Sequence, residues 1–382
     1  MASLSALGAR LDAATPPDRD RAVDALRALA IAGVVLGHWL VTSVVDSGGG
    51  RLTAESPLHH MTYFAPISWV FQTLAVFFLV GGYSAARSWT SAHGRGDSYG
   101  TWLRLRLRRL FAPVGLLLAV WAAGLGTVVA LGTPYETIRT LVTLVLSPLW
   151  FLIVFALVTA LTPALAGRGS RAGSRAALIG LAALVAVDHA RVALGAPSWL
   201  GWTNVLAGWV MPFGIGAAWA EGGWSTRRSS LGLLVGSLVA AATLVTFFDY
   251  PTSMVGVPGE RISNLNPPTL AAVTFGLAQC GLALLLRASL DRAMQRPRLW
   301  ATVALANLSA IVVFLWHQSA LLVVTLGTRP LGTLAGLHTI PDSPIWVIQR
   351  LAWLPLFALV LGVLWAGANK LQEPSPRVAR TR

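Results

Sequence analysis

Long apolar runs alternate with short polar segments over almost the whole chain. The runs are about twenty residues long, and a helix of that length crosses the roughly 30 Å hydrocarbon core of a bilayer. The segments between them are rich in Gly, Pro and Ser, which indicates turns rather than a separate soluble domain. The pattern predicts an all-α membrane protein with about ten transmembrane helices. The predicted spans are 22–45, 65–87, 110–131, 140–166, 176–195, 201–220, 231–249, 269–287, 300–326 and 345–368.

The composition supports this class. The chain has 382 residues, of which 55% are hydrophobic and 12% charged, whereas soluble proteins have about 25% charged residues. The net charge of +14 could suggest nucleic acid in a soluble protein, but the arginines fall in loops between apolar spans. That distribution indicates orientation in a bilayer, and we expect no nucleic-acid partner.

The basic residues also predict the topology. With ten spans, 23 of the 29 Lys and Arg residues fall on the side of the two termini and 6 on the other side. Cytoplasmic loops carry the excess of positive charge, so both termini are predicted to be cytoplasmic, in a multi-pass protein of the plasma membrane. We divide the chain into a cytoplasmic N-terminal segment (1–21), a polytopic membrane domain (22–368) and a disordered cytoplasmic tail (369–382).

The first span contains two ionisable side chains that a lipid-facing helix would avoid. Within it, 21-RAVDALRALAIAGVVLGHWL-40, Arg27 and His38 are eleven residues apart. At about 100° per residue they share one helix face, with roughly 16 Å of rise between them. Asp24 lies one turn before Arg27 on nearly the same stripe. Such a stripe must face protein or water, because ionisable groups are costly in lipid.

Two interpretations of this stripe remain open. Asp24 and Arg27 can form a structural ion pair beside a buried histidine, or the stripe can do chemistry. Arginine suits phosphate or carboxylate recognition through its planar fork of donors, and histidine suits proton transfer because its ordinary pKa is near neutrality. A proton-coupled secondary transporter could use Asp24, Arg27 and His38 as a relay, although no repeat of two halves is visible. A scaffold role would leave the cost of these side chains unexplained.

Further candidates lie elsewhere in the chain. The heaviest basic run is either a topology anchor or a clamp for a phosphorylated donor, and it contains Arg104, Arg106, Arg108 and Arg109. His317, in the ninth span, is either a packed histidine or a second active-site histidine. The loop 256–270 suits either acceptor recognition or a solvated turn, and its polar residues are Glu260, Arg261, Asn264 and Asn266.

No metal site is predicted. Adjacent histidines such as His59 and His60 point apart on a helix and make a poor metal site. Ser84 lies in a sequence loosely like a nucleophile elbow, but that elbow needs a strand before it and a helix after it, which a membrane helix end does not supply.

Five collinear motifs resemble the membrane-bound acyltransferase-3 family. They are the arginine and histidine of the first span, 77-FFLVGGYSAARSW-89, 107-LRRLFAP-113, 149-LWFLIVFAL-157 and 307-NLSAIVVFLWHQSAL-321. Where many members of that family read Phe-Ser-Gly, this chain has Val80-Gly81-Gly82-Tyr83, so a role for that turn near a ligand or in close helix packing stays open.

The resemblance implies transfer of an acyl group, often acetyl, from cytoplasmic acyl-CoA to a hydroxyl of a sugar, glycan, lipid-linked or secondary-metabolite acceptor. Acyl-CoA is then a co-substrate, and no permanently bound cofactor is expected. By position, Arg27 and His38 match the family's essential pair. Arg27 is expected to bind the donor, and His38 is expected to act as general base or as a transient acyl carrier.

Overall fold

The computed structural model describes residues 12–13, 15–16, 19–257 and 263–372. The helices are α1 (Arg21–Val41), α2 (Pro57–His60), α3 (Ala65–Ser68), α4 (Leu74–Gly94), α5 (Tyr99–Ala130), α6 (Tyr135–Leu146), α7 (Leu149–Ala160), α8 (Thr162–Leu165), α9 (Arg171–Val192), α10 (Asn204–Ala220), α11 (Arg227–Phe247), α12 (Leu270–Met294), α13 (Pro297–Thr328) and α14 (Pro344–Gln372). Two strands, β1 (Ser43–Asp46) and β2 (Leu52–Glu55), form an antiparallel hairpin after α1. Single 3₁₀ turns occupy Thr62–Phe64, Trp69–Phe71, Ser198–Thr203 and Arg329–Leu331.

Eight helical segments of the described chain are long and apolar enough to cross a membrane. They are Arg21–Val41, Thr62–Gly94, Tyr99–Ala130, Tyr135–Ala160, Arg227–Phe247, Leu270–Met294, Pro297–Leu331 and Pro344–Gln372. The chain is therefore a multi-pass α-helical membrane protein, as its sequence predicts. Each of the ten predicted spans coincides with helix, but α9 and α10 are not among these eight segments. The number of spans and the side of the termini thus remain predictions.

Some predicted boundaries differ from the observed ones. The first span was expected to reach residue 45, but α1 ends at Val41 and the chain continues as β1. Its β-branched residues, at 42, 44 and 45, favour a strand. The disordered tail was expected from residue 369, but α14 continues to Gln372, and residues 373–382 lie outside the described residues.

The described residues pack into two compact units. Unit 1 is formed within Met1–Gly37, Thr62–Arg106 and Ile153–Leu308, and unit 2 within His38–Met61, Leu107–Leu152 and Ser309–Arg382. Helix α1 therefore contributes Arg27 to unit 1 and His38 to unit 2.

In unit 1, glycines bring α4 and α10 into direct backbone contact. A Cβ at Gly82 would collide with the carbonyl oxygen of Phe213, and a Cβ at Gly216 would collide with the carbonyl oxygen of Leu79. Small residues at a crossing allow membrane helices to approach closely. The turn expected at Gly81-Gly82 is absent, because both residues lie inside α4. Of the two roles considered for them, close helix packing is the one observed. It places the following residue, Tyr83, against Trp219, with ring centroids 4.4 Å apart.

Asp188 forms a buried polar node between α9, α10 and α12 in unit 1. Its carboxylate accepts hydrogen bonds from Asn204 Nδ2 at 2.8 Å, from the Tyr250 hydroxyl at 3.1 Å and from the backbone N–H of Leu270 at 2.7 Å. Burial and the charge of Asp188 raise the pKa of Tyr250 above its ordinary value, so the hydroxyl keeps the proton that it donates. The N–H groups at the start of a helix lack partners within the helix. Asp188 on α9 pairs with one of them, the N–H of Leu270, and thereby ties the start of α12 to α9.

In unit 2, Arg350 on α14 holds the end of α1. It is fully buried, and it donates from Nε to the carbonyl oxygen of Trp39 at 2.7 Å, from Nη1 to that of Gly336 at 3.2 Å, and from Nη2 to that of Thr42. The last carbonyls of a helix lack hydrogen-bond donors within the helix, and the guanidinium of Arg350 supplies such donors. Phe357 covers the same guanidinium at 4.8 Å.

Candidate active site

Arg27 is held by three side chains from three helices. Its Nη1 donates to Asp24 Oδ1 at 2.8 Å and to Asn307 Oδ1 at 3.3 Å, and its Nη2 donates to Ser84 Oγ at 2.6 Å. Asp24 belongs to the same helix, Ser84 to α4 and Asn307 to α13. The predicted Asp24–Arg27 pair is therefore present, and two further hydrogen bonds fix the plane of the guanidinium.

The partners of Arg27 are themselves positioned. The other carboxylate oxygen of Asp24 accepts from Arg19 Nε at 2.6 Å. Asn307 Nδ2 donates to the backbone carbonyl of Asp24 at 2.8 Å and to that of Val303 at 3.0 Å. These bonds orient the Asn307 amide so that its oxygen faces Arg27. A charge on a membrane helix is thus compensated by neighbouring side chains.

A cavity of about 710 Å³ lies beside Arg27 in unit 1. It is lined by the start of α1, by the α4 residues between Tyr83 and Ser91, and by Ala220 and Glu221. The side chain of Arg27 is 24% exposed and forms part of this lining. Arg27 therefore combines fixed internal partners with a face that a ligand can reach.

His38 and His317 lie against each other in unit 2. Their ring centroids are 4.9 Å apart and the rings meet edge to face. His317 is completely buried, and its Nδ1 lies 2.6 Å from the carbonyl oxygen of Phe314. Because a carbonyl oxygen can only accept, Nδ1 carries the proton, and in the neutral ring Nε2 then carries a lone pair. That Nε2 has no hydrogen-bond partner among the described residues.

Neighbouring contacts fix the position of His317. Trp39 Nε1 donates to the backbone carbonyl of His317 at 2.9 Å, and Trp121 Nε1 donates to Ser319 Oγ at 2.8 Å. The Phe314 ring lies 5.9 Å from that of His317. A histidine that is locked in one tautomer beside a second histidine is suited to hold or move a proton.

The four arginines of the basic run are placed differently from Arg27. They lie on α5, where Arg104, Arg108 and Arg109 are exposed and Arg106 covers the ring of Trp102 at 5.5 Å. Arg104 and Arg106 belong to unit 1 but do not line the cavity beside Arg27. The prediction that this run binds the donor stays untested.

Among the predicted acceptor-binding residues, Asn264 serves the loop itself. It is fully buried. Its Nδ2 donates to the carbonyl oxygens of Pro251 at 2.6 Å and Ser253 at 2.9 Å, and its Oδ1 accepts from Thr269 Oγ1 at 2.6 Å. Asn266 is exposed, whereas Glu260 and Arg261 lie outside the described residues.

One comparison decides the family. A family model described as an acyltransferase domain, that of acyltransferase-3, matches residues 20–368. The chain belongs to the acyltransferase-3 family. The resemblance seen in its motifs is thereby confirmed, and the chain is a membrane acyltransferase rather than a transporter. No curated protein and no solved structure matches this chain.

Some contacts of this acyltransferase were not expected from its sequence. Asn307 lies on the same helix as His317, but it contacts Arg27. Ser84 was considered only as a nucleophile, and it accepts a hydrogen bond from Arg27. Both contacts are between residues far apart in the chain, so the helical periodicity of a single segment could not reveal them. The one available signal was the presence of polar side chains inside apolar runs.

His59 and His60 also make local contacts. His60 Nε2 lies 3.5 Å from Glu55 Oε2, and the rings of His59 and His60 are 5.2 Å apart. Within the part of the chain that was searched, no group of three metal-binding side chains comes together.

Proposed function

We propose that this acyltransferase transfers an acyl group, acetyl in the first instance, from acyl-CoA to a hydroxyl of an acceptor. The donor is expected on the cytoplasmic side of the plasma membrane. The acceptor is expected to be a carbohydrate, a glycan, a lipid-linked molecule or a secondary metabolite. The observation that carries this proposal is the ring contact between His38 and His317, in a chain of this family that also places Arg27 at a cavity.

His38 is the residue that we propose to act on the acceptor. As general base, it takes the proton of the acceptor hydroxyl while that oxygen attacks the thioester carbonyl. The carbon–sulfur bond then breaks, and the imidazolium returns the proton to the leaving thiolate, which departs as CoA. As a transient acyl carrier, His38 would instead attack the thioester itself and pass the acyl group to the hydroxyl. Both routes consume one thioester and one hydroxyl, and they yield one ester and one thiol.

His317 is proposed to position His38. Its Nδ1 is committed to Phe314, so its Nε2 lone pair is available to accept an N–H from His38. A contact of this kind would orient the His38 ring for its work as the base, in the manner of the orienting partner in a catalytic triad. No charged partner is needed for this, since a neutral imidazole can accept.

Arg27 is proposed to bind the donor. It sits at the opposite end of α1 from His38, on the same helix face and roughly 16 Å away along the axis. Its guanidinium faces a cavity of a size found in small-molecule sites. An arginine with a fixed plane suits a phosphate or a thioester carbonyl oxygen.

Two measurements on detergent-purified protein test the proposal. The first is acetyl-CoA binding by calorimetry, and the second is transfer of labelled acetyl from acetyl-CoA to molecules of a cell extract. We expect His38→Gln to bind acetyl-CoA like the wild type but to lose transfer by about 100-fold or more, the usual contribution of a general base. Substantial transfer by this variant would remove His38 from the chemistry. Absence of binding to folded wild-type protein would remove acyl-CoA as the donor.

His317 is tested by a matched pair of variants. In His317→Asn the amide nitrogen can still donate to Phe314, but nothing replaces Nε2. In His317→Gln the amide reaches the place of Nε2 and can offer an oxygen as acceptor. We expect slower transfer in the first variant, with an altered dependence of rate on pH, and partial rescue in the second. Equal activity of both variants and the wild type would show that His317 has only a packing role.

A further inference from the structure

A second cavity adjoins the one beside Arg27. It measures about 420 Å³, and its lining includes Arg87, Arg287 and Asp291. The two cavities share four lining residues, which are Arg19, Asp20, Tyr83 and Arg87. They are therefore parts of one concave surface in unit 1, which we call the arginine pocket, and Arg87 lies where the two parts meet.

Most of the charges in the arginine pocket already have partners. Asp24 accepts from Arg19 at 2.6 Å and from Arg27 at 2.8 Å. Asp20 accepts from Arg287 Nη2 at 2.8 Å and from the Tyr83 hydroxyl at 3.0 Å. The charges of Arg19, Arg27 and Arg287 are therefore balanced inside the protein, so Arg27 can offer hydrogen bonds to a donor but no uncompensated positive charge.

Two further acidic side chains, Glu221 and Asp291, line the arginine pocket. Glu221 accepts a hydrogen bond from the backbone N–H of Gly167. Asp291 is exposed and lines only the smaller cavity. Neither carboxylate pairs with Arg87.

Arg87 differs from the other arginines of the pocket. It is exposed, and it makes no hydrogen bond or ion pair with any residue in the described part of the chain. Its neighbours Ser88 and Ser91 line the larger cavity. The Ser88 oxygen accepts from Trp102 Nε1 at 3.0 Å and the Ser91 oxygen from Arg95 Nη1 at 2.7 Å. Each hydroxyl therefore still has its own proton to donate.

We propose that Arg87, supported by the hydroxyls of Ser88 and Ser91, binds a phosphate group of the donor. This inference rests on the proposed function, in which the donor is acyl-CoA. A cation without a partner beside hydroxyl donors is the chemistry that a phosphate requires, because its oxygens only accept. The basic run on α5 is then not needed for this contact, since Arg104 and Arg106 lie outside the lining of the pocket.

The test compares Arg87→Ala with Arg228→Ala. Both arginines are exposed in unit 1 and neither has an ion pair within the described residues, so both variants should fold, and they carry the same change in net charge. Calorimetry would measure the binding of acetyl-CoA and of the analogue that lacks the 3′-phosphate. We expect Arg87→Ala to weaken acetyl-CoA binding about tenfold or more, the effect of one charge-assisted contact, and Arg228→Ala to change it less than about twofold.

The two ligands identify which phosphate is bound. If Arg87→Ala weakens the binding of acetyl-CoA but not the binding of the analogue, the contact is to the 3′-phosphate. If it weakens both equally, the contact is to the pyrophosphate. Unchanged binding by Arg87→Ala, or an equal loss in Arg228→Ala, would overturn the phosphate site while the donor remained established. Failure of the wild type to bind acetyl-CoA would overturn the proposed function as well, and it would be seen before any variant was compared.

Discussion

Replacement of Arg27 by lysine tests whether the shape of this side chain matters beyond its charge. The guanidinium uses two nitrogens to reach Asp24, Asn307 and Ser84 at once. A lysine keeps the positive charge but concentrates it on one nitrogen at the end of a flexible stem. The pairing with Asp24, one turn away on the same helix, can survive the change. We expect at least one of the other two contacts to be lost.

The magnitude follows from the lost contacts. A hydrogen bond to a charged group contributes about 1.5–3 kcal/mol. The Ser84 contact is short, at 2.6 Å, and the Asn307 contact is long, at 3.3 Å, so the Ser84 contact dominates. Because the Arg27 side chain is 24% exposed, water can partly replace a lost partner, which favours the lower end of the range. We therefore expect Arg27→Lys to lower stability by about 1.5–2 kcal/mol.

A double-mutant cycle with Ser84→Ala isolates the contact. Unfolding of the wild type, the two single variants and the double variant would be followed in one detergent, with acetyl-CoA binding measured on each. We expect a coupling energy of about 1–1.5 kcal/mol between the two positions, as is usual for side chains in direct contact. Donor affinity should fall in both single variants, since Arg27→Lys removes the guanidinium itself and Ser84→Ala removes a contact that fixes its plane. A coupling energy near zero, together with unchanged donor affinity, would refute the reasoning.

The remaining predictions concern helix packing and the loop 256–270. Gly82→Ala should destabilise the protein by about 1–3 kcal/mol, since the added methyl meets the Phe213 backbone. Gly126→Ala should be neutral or mildly stabilising, because a Cβ there would meet nothing within 4 Å. Unfolding in detergent compares the two variants, and equal effects would contradict the close crossing of α4 and α10. Asn264→Ala should lower the free energy of unfolding by about 2–4 kcal/mol, because the hydrogen bonds of this side chain are lost. It should leave acetyl-CoA binding unchanged. Asn266→Ala should leave stability within about 0.5 kcal/mol and alter acetyl transfer if the loop meets the acceptor, so a fully active variant would remove it as an acceptor residue.

The part of the candidate site that sequence reveals is local. Arg27 and His38 share a face of one helix because both the spacing and the helical period are properties of a single segment. His317 was marked by its own chemistry, as an ionisable group within an apolar run. None of these arguments identifies a contact, and the sequence left open whether Asp24 and Arg27 form a structural pair or part of a functional site.

The contacts between distant segments required the fold. Asn307 and Ser84 reach Arg27 from 280 and 57 positions away, and which helices meet depends on how side chains interlock across them. The same holds for Arg87: its sequence neighbourhood resembles that of any basic residue at a span end, and only the surrounding surface shows that it lines a cavity and has no ion pair among the described residues.

The apolar runs by themselves determined that this is a helical membrane protein, because a chain in lipid must satisfy its backbone hydrogen bonds within each segment. The motifs along those runs were also enough to indicate the acyltransferase-3 family. What only the tertiary structure decided is the set of partners: Ser84 and Asn307 for Arg27, His317 for His38, and backbone carbonyls for Arg350. Each of these depends on the packing of helices far apart in sequence, and neither hydropathy nor periodicity within one helix contains that information.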